Sequence, residues 1–258
     1  MPDVGLVTLT ELVTHVQRIT DTVDLPVVVD ADTGYGGVLN VHRAVRQLER
    51  AGAAAIQIED QTTPKRCGHF AGTNVIDVQE MLQKLAAAAD ARTDEATVLI
   101  ARTDARQSNG IHEAIDRACA YADAGADLVF VEAPQTMDEL RQLPKQVNAP
   151  LVANMVEGGR TPLLDAAALQ ELGFRVALFA NTALRSALYA VRSAMRALRE
   201  TGSTHDLLDR MLSWEDRQNL IRLPAMQKQE ATYLAAGERN PAGVERGSDG
   251  PESPARHD

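Results

Sequence analysis

Six times along this chain an apolar run breaks off at a polar side chain, and a helix-forming stretch follows. The runs are VVVDAD after Pro26, then AAAIQIED, VLIARTDA, DLVFVEAP, PLVANM and VALFAN. They recur roughly every 25 to 45 residues and are punctuated by Gly, Pro, Asn or Asp. Near-continuous apolar runs are what strands buried on both faces require, and an intervening helix is what joins parallel neighbours. The pattern predicts a parallel (β/α) barrel of the α/β class. In such barrels the carboxyl ends of the strands carry the active site, which is where these polar residues fall.

With 258 residues, 45% hydrophobic and 24% charged, the chain can bury a core of that size as one domain. Aromatics are only 3%, which suits Ala-, Val- and Leu-rich helices packed closely on a sheet. The formal net charge of -10 argues against sequence-independent nucleic-acid binding, which needs a basic surface. No apolar run approaches about 18 residues, so neither a membrane span nor a signal peptide is expected. Two cysteines, Cys67 and Cys119, cannot build a disulfide framework, and a reducing cytoplasmic setting is expected. The expected organisation is a barrel core over 1–181, helices over 182–236 and a disordered, Gly-, Pro- and charge-rich tail over 237–258. GSTHD is expected as an interhelix turn and Trp214 as a docking aromatic. Ahead of the first strand, Leu12, Val16 and Ile19 recur at helical spacing, with Thr10 expected as the N-cap.

The chemistry concentrates at the strand ends. Asp30 and Asp32 close the first strand before the glycine-rich turn TGYGG, and on an extended backbone their i, i+2 spacing directs both carboxylates one way. Two carboxylates about 4 Å apart repel by roughly 4 kcal/mol at an effective dielectric near 20. A divalent cation is the usual remedy, and oxygen ligands favour magnesium or manganese. The alternative is that these Asp residues only cap a turn; Glu59 at a second strand end strengthens the metal reading. Arg102 ends the third strand either as a partner for those acids or as a clamp for a substrate carboxylate. Glu132 and Asn154 gain interest from their strand-end positions alone.

Between the second strand and the next helix, QTTPKRCGHFAGTNV lacks apolar periodicity and is dense in reactive side chains, so it is expected to be an active-site loop. Cys67 is flanked there by Lys65, Arg66 and His69, and neighbouring positive charge makes thiolate available. Gly68 permits an unusual backbone angle. His69 is expected either to take part in the chemistry or to orient its neighbours, whereas Cys119 fits an inert helical cysteine.

The motifs DADTGYG, IEDQ…PKRCGH, ARTDA, FVEAP and NMVEGG, in this order, resemble the isocitrate lyase and phosphoenolpyruvate mutase superfamily. Within it the likeness is to the small bacterial branch with methylisocitrate lyase, dimethylmalate lyase and carboxyphosphonoenolpyruvate phosphonomutase. The resemblance implies a (β/α)8 TIM-type barrel whose last helix is exchanged between neighbours, usually in a homotetramer. It implies magnesium, or manganese, held by Asp30, Asp32, Glu59 and Asp3, partly through water. It also implies substrate contacts from Arg102, Asn154, Glu132, Gly68 and Arg185, and Cys67 as catalytic acid or base on a mobile loop beside Lys65 and His69.

The expected activity is magnesium-dependent cleavage of a carbon-carbon bond in a branched 2-hydroxy di- or tricarboxylate, releasing pyruvate. Phosphoryl transfer as in the phosphonomutases, oxaloacetate decarboxylation and a non-catalytic truncated barrel are the alternatives. Members of the family carry a further segment ahead of PDVGLVTLTE, supplying the first two strands and a substrate-binding Ser-Gly-Gly turn. The six strands counted here are two short of eight. A start codon placed too late is the favoured explanation, over a natural truncation, because an opened barrel exposes strand edges.

Overall fold

The computed structural model describes residues 2–66, 68, 72 and 74–238. Cys67 and His69 lie outside these residues, as does the 239–258 stretch of the expected tail. The chain divides into two compact units, the first ending at Ser186 and the second beginning at Ala187.

The first unit follows the foreseen alternation. In order come α1 (Leu9–Thr20), β1 (Val27–Asp30), α2 (Val38–Arg50), β2 (Ala53–Glu59), α3 (Val78–Ala91) and β3 (Val98–Thr103). They are followed by α4 (Ala105–Asn109), α5 (Ile111–Asp123), β4 (Leu128–Val131), α6 (Met137–Gln146), β5 (Leu151–Asn154), α7 (Ala166–Leu172) and β6 (Val176–Leu178). The six strands form one sheet in sequential order, and every pairing is parallel. Each crossover is therefore a βα unit with its helix laid on one face. Among the described residues β1 pairs only with β2 and β6 only with β5, so the sheet has two edges. Apolar side chains are exposed along them, including Val28 at β1 and Leu178 at β6.

Strand parity sorts the side chains. Val29, Ile56, Ile58, Leu99 and Ala101 pack under Val41, Val45, Leu48, Met81 and Leu85 of α2 and α3. Val129, Val131, Leu151 and Ala153 do the same under Ile115, Leu140, Leu143 and Leu169. The alternate residues Ala55, Ile100, Phe130 and Val152 form a separate small cluster on the opposite face. Two residues further along the same strands, and so on that same face, stand Gln57, Arg102, Glu132 and Asn154. Burying each large aliphatic side chain contributes about 1.5–3 kcal/mol, and that stabilisation offsets the cost of lining one sheet end with charge.

The N-cap of α1 is Thr8, not Thr10. Thr8 and Glu11 form a reciprocal capping box, each side chain bonding the other's backbone N–H. Helix α8 (Thr182–Thr201) runs from the first unit into the second, where a 3-10 helix (His205–Arg210), α9 (Trp214–Leu220) and α10 (Leu223–Glu238) follow. Here Leu188, Val191, Met195, Met226 and Leu234 are all exposed. Trp214 is 77% exposed, with the Arg217 guanidinium 5.5 Å from its ring centroid, so among the described residues of its own unit it does not dock as expected. No helix among the described residues is long and apolar enough to cross a membrane.

Candidate active site

The turn after β1 departs from the extended geometry expected of it. The strand stops at Asp30, whose Oδ1 accepts the Asp32 N–H at 3.0 Å, and Asp32 enters the left-handed region at φ 49°. The two carboxylates therefore do not share a pleat. Asp30 is exposed and holds the turn, whereas Asp32 is turned inward. Gly34 (φ 84°) makes the close approach possible, since a Cβ there would lie 2.4 Å from Val41 Cγ2. From beneath, the buried Lys84 of α3 donates to the Thr33 carbonyl at 3.2 Å and pins the turn.

Asp32 meets the loop lysine. Lys65 Nζ lies 2.7 Å from Asp32 Oδ1 and also pairs with Asp3. Burial pushes the Asp32 carboxyl up, against the pull of Lys65, and the nearby charges of Asp30 and Asp3 add to the rise. Burial alone would lower the Lys65 ammonium, but its bonds to Asp3 and Asp32, with the field of Glu59 and Asp30, hold it above the ordinary lysine value. Its two carboxylate partners thus favour the charged form of Lys65. A cavity of about 190 Å³ lined by Gly5, Val7, Asp32, Tyr35, Thr63 and Lys65 opens beside it, small enough to suit a compact ligand group.

Arg102 is the hub of a second cluster. Its Nε and Nη2 fork onto Asp104, each at 2.9 Å, while Glu59 lies at 3.4 Å and Glu132 at 3.5 Å. Phe130 supports the guanidinium from 5.0 Å. The register explains the grouping, because Glu59 is paired with Arg102 and Arg102 with Phe130 across β2, β3 and β4. Burial would lower the guanidinium, but Asp104, Glu132 and Glu59 hold it well above its usual value. Glu59, 1% exposed, is driven well above the usual carboxylate range by burial, against the pull of Arg102, and Asp104 and Asp30 raise it further. Asn154 Nδ2 donates to both Glu132 oxygens, at 3.2 and 3.4 Å. Glu59 Oε1 and Asn154 Oδ1 are buried without a partner among the described residues.

Gly68 reaches this cluster from the loop. A Cβ added to it would stand 2.6 Å from Asp104 Oδ1, 2.6 Å from Glu132 Cγ and 2.7 Å from Arg102 Nη2. The structure thus gathers Asp3, Asp32 and Lys65 in one group, and Glu59, Arg102, Glu132, Asn154 and Gly68 in another. Arg185 is 58% exposed on its side chain, donates to the Glu157 carbonyl at 2.6 Å and lies 3.8 Å from the Glu157 carboxylate.

Sequence reasoning missed the layer behind these groups. Asp60 is 0% exposed; Oδ1 accepts the Asp104 N–H, and Oδ2 accepts from Tyr121 Oη at 2.8 Å and Arg117 Nη1 at 3.2 Å. Its place next to Glu59 was the available signal. Arg117 and Tyr121, one helical turn apart on α5, were not singled out from the sequence.

Six carboxylates, Asp3, Asp30, Asp32, Glu59, Asp104 and Glu132, serve this end of the sheet with only Arg102 and Lys65 as the cations named in these contacts. The unpartnered Glu59 oxygen, the raised Glu59 and Asp32 carboxyls and the all-oxygen donor set fit a hard divalent cation. Among the described residues no three acids, histidines or cysteines stand in an arrangement that would hold one directly, so the fit is to a cation held largely through water. A stability prediction follows. An acid whose folded pKa is raised binds its proton more tightly when folded, so stability falls as pH climbs from the ordinary carboxylate range through the raised value. Without divalent metal the midpoint for thermal unfolding should be depressed by this contribution at about pH 7, and magnesium should raise it more there than at about pH 5. Equal shifts at the two pH values would sever these carboxylates from the metal.

Fold and site together define a parallel (β/α) enzyme with an acid-rich, arginine-centred site at the carboxyl ends of its strands. The family described as phosphoenolpyruvate phosphomutase matches residues 1–199. The chain is 44% identical over 231 residues to a 2-methylisocitrate lyase of Aeropyrum pernix, covering 90% of this chain and 74% of that one. A crystal structure of 2,3-dimethylmalate lyase superposes with a TM-score of 0.84 at 37% identity, covering 94% of this chain and 80% of the other. A phosphonopyruvate hydrolase in complex with oxalate and Mg2+ gives 0.80 at 32% identity, over 91% and 82% of the two chains. The chain belongs to the phosphoenolpyruvate mutase and isocitrate lyase superfamily.

Proposed function

We propose that this chain is a magnesium-dependent carbon-carbon lyase that cleaves a branched 2-hydroxy di- or tricarboxylate, of the 2-methylisocitrate or 2,3-dimethylmalate type, to pyruvate and a second carboxylate. The observation that carries the reading is the surplus of carboxylates over cations at the strand ends, with Arg102 locked among them. Asp30, Asp32, Glu59 and Asp3 would hold the metal, in part through water, and Lys65 would keep Asp3 and Asp32 in place. When bound, magnesium supplies charge neutralisation for the 2-hydroxy-carboxylate end of the substrate.

Arg102, oriented by its fork onto Asp104, holds a substrate carboxylate, and Asn154 with Glu132 orients the polar end of the substrate. As the carbon-carbon bond breaks, the hydroxyl proton leaves to a base and its oxygen becomes the pyruvate carbonyl. The bonding pair passes to the carbon beside the second carboxylate, and the Cys67 thiol delivers a proton there. His69 orients the thiol, and Gly68, without a side chain, lets the loop approach the cluster closely. Arg185, at the start of α8, is assigned to a distal carboxylate.

The exposed apolar side chains of α8 and α10 support a subunit interface formed by these helices; their exchange in a homotetramer, and a cytoplasmic setting, are taken from the resemblance to the family. The phosphomutase description of the family keeps phosphoryl transfer as the second reading.

The deciding experiment measures pyruvate release in a coupled assay with magnesium, from 2-methylisocitrate, 2,3-dimethylmalate and oxaloacetate in parallel. Release from either of the first two is expected and names the substrate. Release from oxaloacetate alone would replace the reading with decarboxylation. Silence from all three, with magnesium bound, would overturn the lyase in favour of the mutase.

A further inference from the structure

Gln61 follows Asp60 just beyond the carboxyl end of β2 and is 2% exposed. Its carboxamide donates from Nε2 to the Arg66 carbonyl at 2.8 Å and accepts the Arg66 N–H on Oε1 at 2.9 Å. A side chain thereby makes the two-point pairing that a neighbouring strand would make, and the reciprocal donor and acceptor fix the orientation of the amide. The backbone of Gln61 forms an antiparallel bridge with Val75, and the Thr62 N–H donates to the Asn74 carbonyl at 2.9 Å. One residue thus closes the base of the loop with its main chain and grips its ascending limb with its side chain.

The grip falls at a telling place. Arg66 precedes Cys67, and Gly68 packs against Asp104, Glu132 and Arg102. The chain is tethered on either side of residue 67, once through Gln61 and once at the arginine cluster. Neither tether is interchangeable with general burial: an apolar side chain of the same size at position 61 would fill the space but bond neither group of Arg66.

We propose that Gln61 is the positioning residue of the Cys67 loop, its amide clamping the Arg66 backbone so that Gly68 meets the Arg102 cluster. The catalytic part of this inference rests on the lyase reading; the clamp itself does not. Gln61 touches neither substrate nor metal in this scheme and acts through Arg66.

Limited trypsin digestion followed by mass spectrometry tests the clamp without reference to any reaction. The Arg66 side chain is exposed, but trypsin must take its backbone in extended form, which requires both bonds to Gln61 to open. Gln61→Met should be cut after Arg66 about tenfold faster than the native chain, as expected for the loss of two hydrogen bonds. Cleavage after Arg92 and the midpoint for thermal unfolding should stay near native. Gln61→Glu keeps the acceptor and loses the donor at neutral pH, and should fall between the two. In the pyruvate assay Gln61→Met should lose about tenfold in kcat with KM nearly unchanged. Unchanged cleavage after Arg66 would overturn the clamp, as would acceleration at every basic site with a lowered midpoint, which would mark an ordinary packing role. Faster cleavage at Arg66 with undiminished kcat would overturn the positioning role. Faster cleavage in a chain that releases no pyruvate would sustain the clamp and sink the lyase reading alone.

Discussion

Gly68→Ala is expected to lower kcat/KM about a hundredfold to a thousandfold while the chain stays folded and magnesium still binds. The added methyl would stand 2.6 Å from Asp104 Oδ1 and 2.6 Å from Glu132 Cγ, well inside any real contact distance. Those atoms cannot swing aside cheaply, because Asp104 is held by the Arg102 fork and by the bond from its own N–H to Asp60. The loop must lift instead, and a displacement of about 1 Å at a reacting group is enough for a loss of this size. The backbone is not the cause: φ at Gly68 lies outside the left-handed region, so alanine is conformationally acceptable there. Steady-state kinetics with magnesium titration by calorimetry checks both halves. Near-native kcat/KM would mean that the loop works from a position away from the Arg102 cluster.

Cys67→Ser should remove most turnover, by about a hundredfold to ten-thousandfold, with magnesium affinity retained. A serine hydroxyl nearly matches the thiol in size but surrenders its proton far less readily near neutral pH, so it fails as the general acid that quenches the departing carbanion. The neighbouring Lys65 is not a substitute donor, since Asp3 and Asp32 hold its proton in place. Single-turnover measurements distinguish a slowed chemical step from slowed release, and unchanged turnover would transfer the protonation to another group.

The barrel strands were legible because each buried run is β-branched or aliphatic and stops at a polar residue. Ile56 and Ile58 face helices while Glu59 and Arg102 close the other face, as the alternation requires. Asp32 was misplaced because the two-residue period holds only while the backbone stays extended, and the glycine-dense turn with an Asp30 cap overrode it. The expectation of Thr10 as the N-cap overlooked the T-x-x-E spacing of Thr8 and Glu11, whose reciprocal bonds place the cap at Thr8. Gln61 and Tyr121 were illegible for a different reason: their partners lie 5 residues away for Gln61 and 61 for Tyr121, which no local period encodes. Position at a strand end marks a residue as able to act; only the fold shows which of its neighbours hold it still.

The one tryptophan of the chain sits outside the barrel unit, largely bare to solvent beneath an arginine. Its emission therefore reports on the surroundings of the α9 helix. A fluorescence trace will register changes around that helix, and the strands are followed through the backbone signal instead. Light from this protein reports on its helical second unit.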